Sequence, residues 1–338
     1  VGLTAFKIVA DGKDITDVIK PRFISLSITD EAGTNSDSFT LVLMDDGKIA
    51  FPKTEAKLQI STGENNKALT NRGTFVVNSV KLSSPEQTIT LSGDAANLSG
   101  EFKNQRDHTW ENTTLKSLVE TVASRCGYQP AVADAYAAVE IVHRLQTGQS
   151  DADLLTELAA ENNATMKVAQ DKLVFFPKGD NQSVSGKTLS AIAVRLTDQV
   201  QATITLSGAA KFDAVVAKWR DTDLAETKTV RVGESSGKAK TLNTLFQDEA
   251  TARSAAETEL HNLKRAEYTL EIDELPFIPG VIAERNISLS GHHRSQFNGE
   301  WMCESVTETL DANGHLLSGR FVAPKTKVGE IPSLVQTQ

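Results

Sequence analysis

Cysteine is nearly absent from this chain, with only Cys126 and Cys303 among 338 residues. The two lie far apart among apolar neighbours, a setting that predicts small buried thiols in place of a disulfide framework. Tryptophan and tyrosine are also scarce, at three each, so a sugar-stacking surface is not expected. No apolar run approaches the roughly 20 residues that a membrane-spanning helix needs, and the N-terminus lacks a basic segment leading into an apolar one. The expectation is a protein without a membrane span, made and assembled in a cytoplasm. Long runs of Lys and Arg are missing too. With 35 basic against 44 acidic residues the net charge is −9, which argues against phosphate-driven affinity for nucleic acid.

Motifs of catalysis are missing in the same way. H-E-x-x-H does not occur, and the single G-x-S-x-G match, Gly233 to Gly237, falls in a polar loop whose next helix begins only at Asp248. Ser185-Gly186-Lys187-Thr188 imitates the end of a phosphate-binding loop, but Asn181 stands where the first glycine belongs, and strand-like sequence follows where a helix is required. His292 and His293 are adjacent, with no partner at i+4, and neighbours on a strand would point to opposite faces; no metal ligand set is assigned. Glu300, Glu304 and Glu308 recur at a spacing of four inside a predicted strand, which places them on one solvated or interface face. No catalytic residue and no cofactor is assigned.

What the chain does contain is mostly short strands. From Phe6 to about Asp94, "RFISLSITD" alternates Ile24, Leu26 and Ile28 with Ser25, Ser27 and Thr29. "DSFTLVLMDD" does the same with Phe39, Leu41 and Leu43 before a turn at Asp46-Gly47. "AKLQIST", "GTFVVNSVKL" and "QTITLSGDA" follow, the last after a Ser84-Pro85 turn. Regular spacing with turn residues between favours a small barrel or sandwich. Strands resume at "AIAVRLTD", "QATITLSG", "AVVAKWRD" and "TKTVRVG". A polar loop at Glu234 to Lys240 then precedes a helix capped by Asp248, with Ala252, Ala255, Ala256, Leu260 and Leu263 on one face. "AEYTLEID", a proline corner at Pro276 and Pro279-Gly280, "NISLSG", and a hairpin about Asn313-Gly314 complete the series.

The region from Asp107 to Pro177 breaks this pattern. Leu115, Leu118, Val119, Val122, Ala123 and Cys126 form one stripe at helical period, with Thr113 or Thr114 as N-cap and Gly127 and Pro130 as the stop. Ser150 caps a second helix, where Asp151 and Asp153 favour the positive end and Leu154, Leu155, Leu158 and Ala159 form the buried face. "ATMKVAQDKLVFFP" reads as a hairpin turning at Gln170, Asp171 and Lys172. The expected fold is therefore mainly β with an α+β insertion: a β-barrel over 1–106, an α/β unit over 107–178, and a second antiparallel β-barrel with one helix over 179–324. A polar linker runs from Gly179 to Gly186, and 325–338 is an aperiodic tail.

A tryptophan before a Thr-Thr-Leu helix start, a Gln-x-x-x-Ser-Asp turn into a Leu-Leu-x-x-Leu-Ala helix, and a strand ending Leu-Val-Phe-Phe-Pro together resemble the late control protein D family of phage tails. Here these are Trp110, Thr113 to Leu115, Gln146, Ser150, Asp151, Leu154, Leu155, Leu158, Ala159 and Leu173 to Pro177. Gln149 and Leu155 depart from the family pattern, which has Glu and an aromatic there. The likeness extends to Phe297–Gly314 and to the N-terminal "FKIVADGKDITDVI". It implies a structural hub of a contractile-tail baseplate: a homotrimer whose two barrels per chain make a six-fold-like ring between tail tube and spike. The implied partners are the central spike protein, the tube or tube-initiator protein, baseplate wedge proteins and the tape measure protein. The implied location is the virion tail or a tailocin particle. Interface candidates are Trp110, Glu300, Trp301 and Glu304, with core packing as the alternative for the tryptophans. A type VI secretion spike hub of the same fold, and a tail-tip cell-wall hydrolase, are the alternatives.

Overall fold

The computed structural model describes residues 4–33, 36–50, 52–64, 67–95, 100–169, 172–178, 189–207, 212–221 and 224–323. The turn at Gln170-Asp171, the linker Gly179–Gly186, the Ser185–Thr188 motif and the tail 325–338 lie outside these residues.

Among the described residues six long antiparallel strands, with the two-residue strand Lys13–Asp14 at the edge, build the first β domain: Thr4–Ala10, Phe23–Glu31, Ser38–Met44, Lys57–Glu64, Thr70–Ser83 and Thr88–Ala95. Their period-two patterning puts Ile8, Leu26, Ile28, Phe39, Leu41, Leu58, Ile60, Phe75, Val77, Ile89 and Leu91 in one cluster. A single face of a single sheet can meet itself in this way only by curling, so the sheet wraps its core like a barrel. Ile24 is the exception to the expected alternation. It falls at a register shift between Phe23 and Ser25 and is 42% exposed. Gly93 permits a close approach between strands: a Cβ there would lie 1.8 Å from the Val76 carbonyl oxygen.

The second β domain uses Ile192–Arg195, Gln201–Leu206, Tyr268–Pro276, Asn286–Ser290, Gly299–Asp311 and Gly314–Val322 around a core that includes Val194, Leu270, Ile272, Ile287, Trp301 and Phe321. The two domains keep separate cores but share one sheet. The first residues of Gly299–Asp311 pair with Asn286–Ser290; after a bulge at Glu304, Ser305–Leu310 pair with Leu26–Glu31 of the first domain. Hydroxyl pairs line this seam, with Ser27 Oγ 3.3 Å from Thr309 Oγ1 and Thr29 Oγ1 3.0 Å from Thr307 Oγ1.

Two strands expected in the second barrel leave it. Ala214–Asp221 and Glu226–Gly233 join Ala239–Phe246 in a separate three-stranded sheet, and the helix Glu249–Glu267 lies on it. Asp248 caps that helix by accepting from the Thr251 amide at 2.8 Å. Ala252 and Ala256 are fully buried, Leu260 and Leu263 pack beside them, and Ala255 is only partly buried. The strand Ala239–Phe246 takes up the end of the polar loop expected over Glu234 to Lys240, and its mixed Lys, Thr and Asn pattern alternates too weakly to announce it.

The middle unit has the two expected helices, Leu115–Arg125 and Asp151–Glu161. Thr114 is the first cap, accepting from the Ser117 amide at 3.2 Å, and Ser150 is the second, accepting from Asp153 at 3.1 Å. Leu118, Val119, Val122, Leu154, Leu155 and Leu158 meet in one core. Ala164–Ala169 pairs antiparallel with Lys172–Pro177, which in turn runs parallel to Gln129–Val132. An unexpected two-stranded ribbon, Gln105–Thr114 with Glu140–Ser150, completes the unit. The boundary placed between 106 and 107 therefore falls inside a strand, and Phe102, upstream of it, belongs to the middle core.

Candidate functional site

Trp110 is on the ribbon, not at a helix boundary, and only 6% of it is exposed. Its Nε1 donates to Gln146 Oε1 at 3.2 Å. The Gln146 amide in turn donates to Asp151 Oδ1 at 3.0 Å. Asp151 is fully buried at the first turn of its helix, where the amide dipoles favour an anion, and it pairs with Arg125 at 2.5 Å and Arg106 at 3.3 Å. The Arg125 guanidinium lies 5.7 Å from the Trp110 ring centroid. The motif residues Trp110, Gln146, Ser150 and Asp151 thus converge on one buried ionic network. Its work is to hold ribbon and helices together, and within this chain Trp110 takes the core-packing alternative.

Trp301 is also interior, 5% exposed, with its Nε1 donating to the Phe297 carbonyl at 3.1 Å. The three glutamates do not share a face, because the bulge at Glu304 inverts the alternation. Glu300 stays half-buried on the strand's first part, and Glu304 sits at the bulge with its carboxylate 3.1 Å from Arg320 Nε. Glu308 turns inward and is 5% exposed. It meets Arg72 of the first domain at 2.7 Å and His315 of the second at 2.6 Å. The His315 ring stacks on Phe277 at 3.7 Å, and Arg72 lies over the same ring at 5.5 Å. A buried Arg72–Glu308 ion pair, with His315 hydrogen-bonded to the same carboxylate, therefore ties the two β domains beside their shared strand.

The middle unit docks through a second polar cluster. Lys167 reaches Asp30 at 2.5 Å and Asp37 at 2.8 Å, both in the first domain. Thr165 donates to Glu284 Oε1 of the second domain at 2.6 Å, and the same oxygen accepts the Gly33 amide at 3.1 Å. Burial pushes the Asp37 carboxyl up to about 6; Lys167 opposes that shift and Asp30 reinforces it. For Lys167 burial acts to lower the pKa, but Asp30 and Asp37 outweigh it and the ammonium is held charged. Beside this junction lies a cleft of about 550 Å³ whose lining includes Glu31, Ala160, Asn163, Lys178, Glu304 and Arg320, drawn from all three units.

Chemically these clusters brace the fold. Burial raises the Cys126 thiol to about 11, with Asp151 adding to the effect, and burial drives the Cys303 thiol well above its ordinary value. Both thiols are free and buried, as expected from their surroundings, and neither is activated as a nucleophile. Neither ionic cluster was legible in the sequence, since Arg72, Glu308 and His315, or Lys167, Asp30 and Asp37, come from distant segments. Only the Trp110–Asp151 group had a signal, as the conjunction of spaced motif residues.

The model of the phage tail baseplate hub (GPD) family matches residues 84–314. The probable baseplate hub protein of Escherichia phage 186 is 27% identical over 355 residues, an alignment covering 92% of this chain and 90% of that protein. Among solved structures, the 43 kDa tail protein of prophage MuSo2 from Shewanella oneidensis is similar with a TM-score of 0.71 at 17% identity, covering 95% of this chain and 99% of that one. The E. coli c3393 protein, a component of the type VI secretion system, is similar with a TM-score of 0.59 at 10% identity, covering 93% and 77%.

Proposed function

Because this chain belongs to the phage tail baseplate hub family, and so acts as a structural component of the tail baseplate, we propose that it works as a homotrimeric ring joining tail tube to spike. The observation that carries this reading is the architecture: two β domains with separate cores, joined by a shared sheet and the Arg72–Glu308–His315 cluster. Three such chains supply six β domains around one axis, which allows a six-fold tube to meet a three-fold spike. The contacts are head-to-tail, between the first β domain of one copy and the second of the next, with Glu300 and Glu304 at the rim. On the remaining sides the ring meets the central spike protein, the tube or tube-initiator protein, baseplate wedge proteins and the tape measure protein. It is assembled in the host cytoplasm, in a phage or a tailocin. The likeness to c3393 is one of fold and makes no choice of setting.

The same reading makes the chain catalytically inert, its buried charge clusters being consumed in bracing. Imaging of assembled particles tests the assembly: three copies on the central axis are expected. A copy number other than three or six, or an off-axis position, overturns it. Cell-wall lysis that disappears on substituting Glu300, Glu304 or Glu308 would overturn inertness.

A further inference from the structure

The strands Ile192–Arg195 and Asn286–Ser290 pair in parallel, so the segments leaving them emerge at the same end. One carries Asp198 and the other His292 and His293. The expectation that the two histidines diverge assumed a strand. They lie instead in a turn just past it, entered through Gly291 at φ +96°. Their rings stack with centroids 4.6 Å apart, and both face the same carboxylate oxygen: His293 Nδ1 is 3.0 Å from Asp198 Oδ1, and His292 Nε2 is 3.6 Å from it.

The turn is built to hold this geometry. Asn298 clamps the His292 backbone from both sides, accepting its amide at 3.2 Å and donating to its carbonyl at 2.9 Å. Phe297 packs against the His292 ring at 4.1 Å, and Trp301 holds the Phe297 carbonyl at 3.1 Å. A β-carbon on residue 291 would come within 3.1 Å of the Arg195 side chain, so the turn also depends on glycine.

We propose that Asp198, His292 and His293 form a binding site for a first-row divalent cation of the zinc or nickel type. Two imidazole nitrogens and one carboxylate oxygen lie within 4.8 Å of one another. Ligands held 2.0–2.2 Å from a tetrahedral ion are about 3.4 Å apart; the two nitrogen-to-oxygen separations, 3.0 and 3.6 Å, bracket that value, and the two nitrogens lie within 4.8 Å of each other. Solvent completes the shell, since His293 and Asp198 are exposed. His292 Nδ1 accepts the Arg294 amide at 3.1 Å, so coordination through Nε2 moves the ring proton to Nδ1 and gives up that contact. The ion therefore binds with moderate affinity and staples two surface turns of the second β domain.

Titration of the full chain with Zn²⁺ by calorimetry at neutral pH tests the site. One ion per chain is expected, with its affinity falling at least about tenfold in His293→Ala and in Asp198→Asn, and unchanged in His143→Ala, which alters an exposed His–Glu pair elsewhere. Because His293 is 65% exposed, its loss leaves the fold intact. Zn²⁺ should accordingly raise the melting temperature of the wild type but not that of His293→Ala. Absence of saturable binding, or binding indifferent to His293→Ala and Asp198→Asn, would overturn the proposal.

Discussion

Asp37→Asn isolates the electrostatics of the docking junction. In the folded chain the Asp37 carboxyl is raised from 3.8 to about 6, chiefly by burial, with Asp30 adding to the shift and Lys167 opposing it. A carboxyl that holds its proton more tightly when folded contributes stability that is fully present below the unfolded value and is lost as pH rises through the folded one. A shift of about two units corresponds to about 3 kcal/mol across the full window, at about 1.4 kcal/mol per unit. Of this, about 2 kcal/mol falls between pH 4.5 and 7.5. The asparagine still offers an oxygen to Lys167 and to the Glu31 amide, which donates to Asp37 at 3.1 Å in the wild type. Its stability should therefore lack this component. Urea melts of wild type and Asp37→Asn at pH steps supply the comparison. Expressed as wild type minus variant, the difference should decline by about 2 kcal/mol from pH 4.5 to 7.5. The raised carboxyl and its cause would be refuted by a flat difference, or by one rising with pH.

Removing Lys167 acts in the opposite direction, because Lys167→Met leaves Asp30 and Asp37 facing each other without a cation. It should destabilise the docked middle unit by about 3 kcal/mol at pH 8, as read by hydrogen exchange over 164–169; unchanged protection would refute the latch. Glu308→Ala strands Arg72 and His315 in the interdomain core and should cost about 3–5 kcal/mol in denaturant melts, and a near-zero change would show the cluster to be solvated. Leu118→Ala and Leu158→Ala each empty a buried site in the middle core, for an expected loss of about 2–5 kcal/mol, checked in the same melts. Gly93→Ala drives a methyl group into the Val76 carbonyl and should lose at least about 2 kcal/mol; wild-type stability would show that the strands can separate there.

Local periodicity carried much of this molecule. The helix faces about Leu118 and Leu158, the caps Ser150 and Asp248, and most strands of both β domains follow from side-chain spacing and cap chemistry within a dozen residues. Burial of Cys126 and Cys303 followed from their apolar neighbours. Such features are legible because the interactions that produce them are close in sequence. The resemblance to a tail-protein family was legible for a related reason: Trp110, Gln146, Ser150 and Asp151, which carry part of it, meet in one network.

Pairing partners and the faces of irregular strands were not legible, since both depend on contacts across hundreds of residues. The single sheet that unites the two β domains arises because Gly299–Asp311 changes neighbour at a bulge, and no property of Glu304 announces a bulge. That one extra residue inverts the alternation, carries Glu308 into the core, and spoils the prediction of a glutamate face. In the same way His292, His293 and Asp198 converge because two parallel strands end together, a fact of topology that adjacency in sequence cannot express. Spacing sets which local faces are apolar; long-range pairing sets which charged groups those faces bring within 3 Å of one another.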